Sequence, residues 1–410
     1  MSKSSSRNLE LNISQSIPWT QYGYYLPERP SFTFDPLFHA GCYYVQEASS
    51  MFLEQVFKQT VDLSKPLKIL DLSAAPGGKS THIESLITSD SLLVSNEVIR
   101  SRAKILEDNI IKWGCKNIGV TNNDPKDFER LTGFFDVILV DAPCSGSGLF
   151  RKDVGAIKEW SVRNVQHSCQ RQQRILADIW PALKEGGILI YATCSYSREE
   201  DEDILEWLVQ QFAVRSLHLA IPSEWGVVES GRGYRFWPDK VKGEGFFISV
   251  MMKTTGENLP ELGTRTKLTG LSINERKIVS DWIDVDNLVL LKNKNEVYAW
   301  PAALAYDMQL TLENLRLAYS GVKMGEILKD KLIPDHALAM SDLLSGNISR
   351  IELNYEQAIS YLRKETPDLP RENTGWQIVC YQDHPLGWIN ILPGRINNYY
   401  PKELRILKER

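Results

Sequence analysis

The chain of 410 residues reads as an α/β protein: a doubly wound, Rossmann-like domain, then a smaller α+β region, then a β-rich C-terminal module. Three observations predict this. Short apolar runs alternate with stretches of helical spacing between residues 67 and 252, the pattern of a mostly parallel sheet covered on both faces. The first run ends at a glycine turn that leads into a helix, and such folds take ligands at the carboxyl ends of their strands. From about His336 onward the pattern changes to short strands with turns.

The elements follow in order. Residues 1–20 are polar and serine-rich and are expected to fray. Tyr22 to Met51 is aromatic and proline-rich, an extended packed segment, and Ala48–Lys58 can form a short helix. Leu67–Leu72 is a buried strand by its length and flanks. Pro76-Gly77-Gly78 breaks it, and Ser80–Leu86 opens a helix. Leu92–Glu97 is the second strand and Arg100–Trp113 a helix, with Arg102, Lys104 and Lys112 at its polar positions. Ile118–Thr121 and Phe135–Val140 are the third and fourth strands. Gln166–Leu183 has helical spacing, and Gly187–Tyr191 is the fifth strand. Glu199–Gln211 opens with acidic residues, as a helix start should. Gly245–Met252 is a late strand. Gly256–Gly270 has the composition of a linker, and Gly375–Tyr381 and Pro385–Ile389 read as strands. The expected domains are an extended segment over 1–50, a main domain over 51–255, an intermediate α+β domain over 271–335 and a terminal module over 336–410.

Composition narrows the class. Six cysteines with no CxxC pair, in a chain this long, indicate a reducing compartment and no disulfide framework. The six histidines are scattered, so no metal site is expected. No apolar run reaches the length of a membrane span, and the N-terminus has no leader-like core, so the expected location is cytoplasmic, without membrane contact. The net charge of −5 means that any nucleic-acid contact must rest on a local basic face. A monomer is the default.

The chemistry concentrates at strand ends. Asp71-Leu-Ser-Ala74-Ala75-Pro76-Gly77-Gly78-Lys79-Ser80 lets backbone approach a ligand closely. It is neither a dinucleotide fingerprint nor a phosphate loop, which needs a glycine where Ser73 stands. Glu97 ends the second strand, where nucleotide folds place a ribose-binding carboxylate. Asp124 follows the third strand, near where an adenine edge would lie. Asp141 ends the fourth, followed by Pro143-Cys144-Ser-Gly-Ser-Gly148, and Thr193-Cys194 follows the fifth. Adjacent strand ends let both cysteines face one cleft, whereas Cys42, Cys115, Cys169 and Cys380 read as inert thiols. Two cysteines, a carboxylate and a cofactor turn are the parts needed to methylate a pyrimidine carbon. Carbon 5 of cytosine is a weak nucleophile, and a thiolate adding at carbon 6 turns the ring into an enamine.

These residues, with Gly41–Met51, Arg151-Lys152-Asp153, Lys242–Phe247 and Gly394–Arg405, resemble the Nop/Sun-type RNA (cytosine-5) methyltransferases over nearly the whole chain. The likeness is strongest to a bacterial subgroup acting on the RNA of the small ribosomal subunit. The resemblance implies S-adenosylmethionine as cofactor, held by the Ala74–Lys79 turn, Glu97, Asp124 and Asp141. It implies Cys194 as nucleophile and Cys144 as the group that helps remove the carbon 5 proton and release product, with Asp141 also supporting N3 of the ring. It implies a PUA-like terminal module, with Trp376, Trp388, Arg395, Asn398 and Tyr399 on it. Most of the family's N-terminal RNA-binding portion is read as absent, Ala48 stands where many relatives have proline, and Asp239 where histidine is common. Arg151, Lys152, Arg171, Arg174, Arg232 and Arg235 are expected at the mouth of the cleft, where an unpaired or flipped base must enter. A tRNA target, DNA cytosine methylation and a non-catalytic ribosomal RNA-binding factor are the alternatives.

Overall fold

The alternating runs form one sheet of ten strands in a computed structural model that describes residues 15–256, 262–370 and 373–409. Five central strands are parallel: β1 (Lys68–Asp71), β2 (Leu92–Asn96), β3 (Ile118–Thr121), β4 (Phe135–Asp141) and β5 (Leu183–Thr193). Their order is β3-β2-β1-β4-β5, so the winding reverses between β1 and β4, and ligands bind at such a reversal. The connecting helices include α1 (Gly78–Glu84), α2 (Arg100–Trp113), α3 (Val162–Ile179) and α4 (Glu202–Gln211). The late strand, β6 (Phe246–Lys253), runs antiparallel beside β5.

Period-two alternation sends side chains to two cores. Ile69, Leu93, Val120, Leu139 and Ile190 face one, with Phe52, Ile83 and Leu106 packed on them. Leu70, Val94, Ile138, Val140 and Leu189 face the other, under Ile175, Leu176 and Leu205. Fraying was expected over residues 1–20; residues 1–14 lie outside the described residues, but Gln15–Ser16 pair with Tyr24–Tyr25, and Ile17 and Trp19 are buried because their apolar side chains join the first core. The part of the aromatic segment that follows is integral to the first core. Trp19 is buried, donates its indole N–H to the Ala48 carbonyl at 2.8 Å and meets Phe236 edge-on.

The region after β6 does not stand apart. Residues 257–261 of the expected linker lie outside the described residues, but Leu262 and Leu268 pack on the second core. The strand Leu317–Ser320 leaves the intermediate region and pairs antiparallel with β3, at the edge of the main sheet. Four strands between Leu288 and Pro334 form a second sheet, and four between Arg350 and Asn398 a third. These two share one core: Val279, Val297, Val322 and Leu338 pack with Ile378 and Trp388. A boundary at residue 336 therefore divides the sequence but not the packing. Trp388, expected on the PUA-like module, belongs to its buried core and donates to the Asp335 carbonyl at 2.8 Å.

Trp388→Ala is expected to cost about 3–5 kcal/mol. Because the core is shared, residues 271–335 should unfold together with the terminal module in a single transition, read by urea titration with hydrogen exchange. Loss of protection confined to residues beyond 345 would show that the two regions are independent.

Candidate functional site

Three adjacent strands, β1, β4 and β5, deliver their carboxyl ends to a cavity of about 410 Å3. Its wall includes Lys79, Glu97, Asp141, Cys144, Cys194 and Phe246. The turn after β1 is held from behind. The Ala74 N–H donates to the Asn96 carbonyl at 2.8 Å, and the Ala75 and Pro76 carbonyls accept from Arg102 and Asn109, each at 2.8 Å. Gly77 sits at φ 119°, a conformation open to glycine, and Gly78 packs against Tyr44. These residues shape the turn, while Ala75 and Lys79 reach the cavity itself.

The acidic residues divide. Glu97 is buried, and its Oε1 accepts the Ile99 N–H at 2.9 Å. Its Oε2 lies 3.2 Å from Arg102 Nη1 in poor hydrogen-bond geometry, so lone pairs remain for a ligand hydroxyl. Val98 and Ile99, both half-exposed, add apolar surface beside it. This set fits a ribose with a flat base alongside, as S-adenosylmethionine carries. Asp124 is placed differently. It caps the short 3-10 helix Pro125–Leu131, faces Arg174 Nη2 at 3.3 Å and is not part of the cavity wall. Asp71 lies beneath the floor, fully buried, accepting from Ser80 Oγ at 2.7 Å. Burial pushes its carboxyl up to about 7, against the lowering effect of that hydrogen bond.

The two cysteines meet. Cys144 Sγ and Cys194 Sγ are 3.1 Å apart, and Lys79 Nζ donates to Asp141 Oδ2 at 2.7 Å beside them. Burial opposes the Lys79 charge, but Asp141 outweighs it and the ammonium is held. The two thiols are shifted in opposite directions. The contact with Cys144 lowers the Cys194 thiol; burial and the Asp141 charge oppose this, and Lys79 assists it. The same contact, with burial and the Glu200 charge, raises Cys144. These opposite shifts favour Cys194 over Cys144 as the sulfur that ionises first.

Sequence reasoning missed what holds this arrangement. Glu200, buried at 0% exposure, accepts from the Ser145 N–H at 2.7 Å, from Ser145 Oγ at 2.5 Å and from Ser195 Oγ at 2.6 Å. The run Glu199-Glu200-Asp201-Glu202-Asp203 carries more acid than a helix start needs, and that excess was the available signal. Asp201 and Glu202 hold Arg235 at 3.1 and 2.5 Å. Arg235 is thus buried structure, a correction to its expected place at the cleft mouth. Arg232 pairs with Glu206 instead, while Arg171 does line the cavity.

A second groove of about 780 Å3 adjoins the first, since Glu47 and Glu244 line both. Tyr24, Tyr25, Tyr44, Arg151, Lys152 and Lys242 are among its walls. Glu47 Oε1 accepts the Glu244 N–H at 2.8 Å, and Arg151 donates to the Gly243 carbonyl at 2.7 Å. Lys242 Nζ stands 4.4 Å over the Tyr25 ring. Among the described residues no helix is long and apolar enough to cross a membrane.

The family model for 16S rRNA methyltransferase RsmB/F matches residues 59–252. The methyltransferase RsmF PUA domain matches 349–406, and the N-terminal domain of 16S rRNA methyltransferase RsmF matches 1–48, the segment in which most of that portion was read as absent. Ribosomal RNA small subunit methyltransferase F of Cronobacter sakazakii is 30% identical, over 95% of this chain and 84% of its own length. Its counterpart in Pectobacterium atrosepticum is 31% identical over the same shares. A methyltransferase homolog protein from Pyrococcus horikoshii superposes with a TM-score of 0.51 at 29% identity, covering 59% of this chain and 79% of that one.

Lys79→Met removes the cation beside Cys194 and leaves Asp141 unopposed, and both changes disfavour the thiolate. The pH midpoint for alkylation of Cys194 by iodoacetamide should rise by about one unit or more, while that of Cys144 stays within half that shift. Peptide mass spectrometry across pH reads both. An unmoved Cys194 profile would mean that the ammonium does not hold the thiolate.

Proposed function

The chain belongs to the 16S rRNA methyltransferase RsmB/F family and is an S-adenosylmethionine-dependent RNA methyltransferase; from that premise we propose that it methylates carbon 5 of a cytosine in small-subunit ribosomal RNA through a covalent bond from Cys194 to carbon 6. The observation that carries this reading is the sulfur pair, 3.1 Å apart on the wall of the cavity that also holds Asp141 and Lys79. Glu97, Asp141 and the Ala74–Lys79 turn would hold the cofactor, with Asp124 at its outer edge. When bound, it supplies an electrophilic methyl group.

The residues then act in sequence. The Cys194 thiolate adds to carbon 6, and negative charge develops toward N3 and the exocyclic oxygen. Asp141 would meet that charge with a proton drawn from the Lys79 ammonium, which donates to its Oδ2 at 2.7 Å. Once Cys194 has become a thioether, the contact that chiefly raised Cys144 is spent, so the Cys144 thiol gives up its proton to solvent more readily. Once the nucleophilic carbon 5 of the enamine carries the methyl group, the Cys144 thiolate takes the proton that remains there. The electron pair of that C–H bond forms the 5,6 double bond, and Cys194 leaves as thiolate.

The target base must leave its stack to reach the sulfurs, and the strand on either side needs a path. The adjoining groove supports one: tyrosine rings suit base stacking, and Arg151, Lys152 and Lys242 suit phosphates.

Two experiments test this reading. Wild type, Cys144→Ala and Cys194→Ala are incubated with S-adenosylmethionine and small-subunit RNA, and products are separated on a denaturing gel. Cys144→Ala should accumulate a covalent protein–RNA adduct, while Cys194→Ala should form neither adduct nor 5-methylcytosine. Methylation by Cys194→Ala would transfer the nucleophile's role to Cys144. In the second, Arg151→Ala with Lys242→Ala should weaken RNA binding and reduce its logarithmic salt slope by roughly one per lost phosphate contact, leaving cofactor affinity unchanged. An unchanged slope would remove the groove from the RNA path.

A further inference from the structure

We propose that Glu200 is the positioning residue of the cysteine pair: its buried carboxylate staples the loop after Cys144 to the loop after Cys194 and so holds both sulfurs in place. The inference rests on the reading of Cys194 as nucleophile.

Geometry carries it. Ser145 and Ser195 each follow a cysteine by one residue, so a backbone rotation at either serine moves a sulfur. Glu200 binds both through three hydrogen bonds of 2.5 to 2.7 Å: the Ser145 N–H and hydroxyl, and the Ser195 hydroxyl. Its own carbonyl accepts from Tyr191 on β5 at 2.6 Å, which ties the staple to the sheet. A second layer closes the same loops. Tyr196 N–H donates to Ser147 Oγ at 2.8 Å, and Ser147 Oγ lies 3.3 Å from Ser195 Oγ.

A structural role alone does not explain a carboxylate here. Among the described residues no lysine, arginine or histidine pairs with Glu200, and a buried charge without a counter-ion is costly to keep. Three hydroxyl and amide donors would serve a neutral acceptor. The charge acquires a use in the asymmetry of the pair. Cys144 faces Cys194 and the Glu200 charge. Cys194 faces Cys144, Asp141 and the Lys79 ammonium. At Cys194 the Lys79 ammonium offsets part of the Asp141 charge, whereas at Cys144 the Glu200 charge adds to the raising effect of burial.

The test uses the full chain with Glu200→Gln, Ser145→Ala and Ser195→Ala, checked by thermal melting and S-adenosylmethionine affinity. Each free enzyme is alkylated with iodoacetamide at pH 8, and the ratio of Cys194 to Cys144 modification is read by peptide mass spectrometry. Steady-state kinetics are run in parallel on small-subunit RNA. Glu200→Gln should lower kcat about tenfold to a hundredfold with KM for RNA within about twofold, the scale of a small misplacement of reacting groups. It should also bring the alkylation ratio toward one. Ser195→Ala keeps the charge and removes one of the three bonds to Glu200, with the Ser195 hydroxyl's contacts to Ser147 and the Ser197 N–H, so it should lower kcat while preserving the ratio. If Glu200→Gln does not fold, that split between rate and ratio in Ser195→Ala decides the matter. Wild-type selectivity in Glu200→Gln, a loss explained by KM alone, or full kcat in Ser195→Ala would overturn the proposal. The alkylation arm needs no RNA. It therefore stands even if the protein proves to methylate another substrate, which separates a failure here from a failure of the functional reading.

Discussion

The site depends on one constraint: two loops leaving neighbouring parallel strands must bring their sulfurs into contact. Asp141 and Ala192 are opposite one another in the register of β4 and β5, but Cys144 comes three residues beyond the first and Cys194 two beyond the second. Loops of unequal reach have to meet, and the chain solves this with a close approach. The Gly148 N–H donates to the Cys194 carbonyl at 2.8 Å, and a Cβ on Gly148 would stand 2.7 Å from that oxygen and 2.6 Å from the Gly245 carbonyl. Only glycine fits between the two loops and β6. The Pro-Cys loop is thus gripped by Gly148 at one end and Glu200 at the other, and the cavity, the cofactor turn and the RNA groove are arranged around it.

Much of this was legible in the sequence. The five parallel strands were readable because strands buried on both faces consist almost entirely of apolar residues, and β2 and β3 are buried throughout. The catalytic candidates were readable because each lies within three residues of a strand end, and strand ends at a winding reversal share one edge. Position in the fold, more than residue type, separated Cys144 and Cys194 from the other four cysteines.

What was not legible depends on long-range partners. Glu200 looks like any acidic helix start until Ser145, 55 residues away, is seen to bind it. Arg235 looks like a basic residue for RNA until Asp201 and Glu202 take its guanidinium. The strand Leu317–Ser320 lies nearly 200 residues from its neighbour β3, and no local pattern announces that a later region will complete an earlier sheet. Trp388 and Trp376 carry the same local signals, yet one is core and the other only partly buried.

The two ends of the described chain meet. Tyr355 donates to the Phe34 carbonyl at 3.0 Å across 321 residues, Tyr400 lies 3.4 Å from His39 Nδ1, and Gly114 packs against Met340. The segment that lines the second groove therefore rests on residues synthesised more than 300 positions after it. During synthesis the central sheet can assemble early, but its aromatic flank lacks a seat until the terminal module has emerged and folded. High sequence separation makes that closure slow. A nascent chain can therefore close its central sheet, sulfur pair included, before the groove beside it is complete.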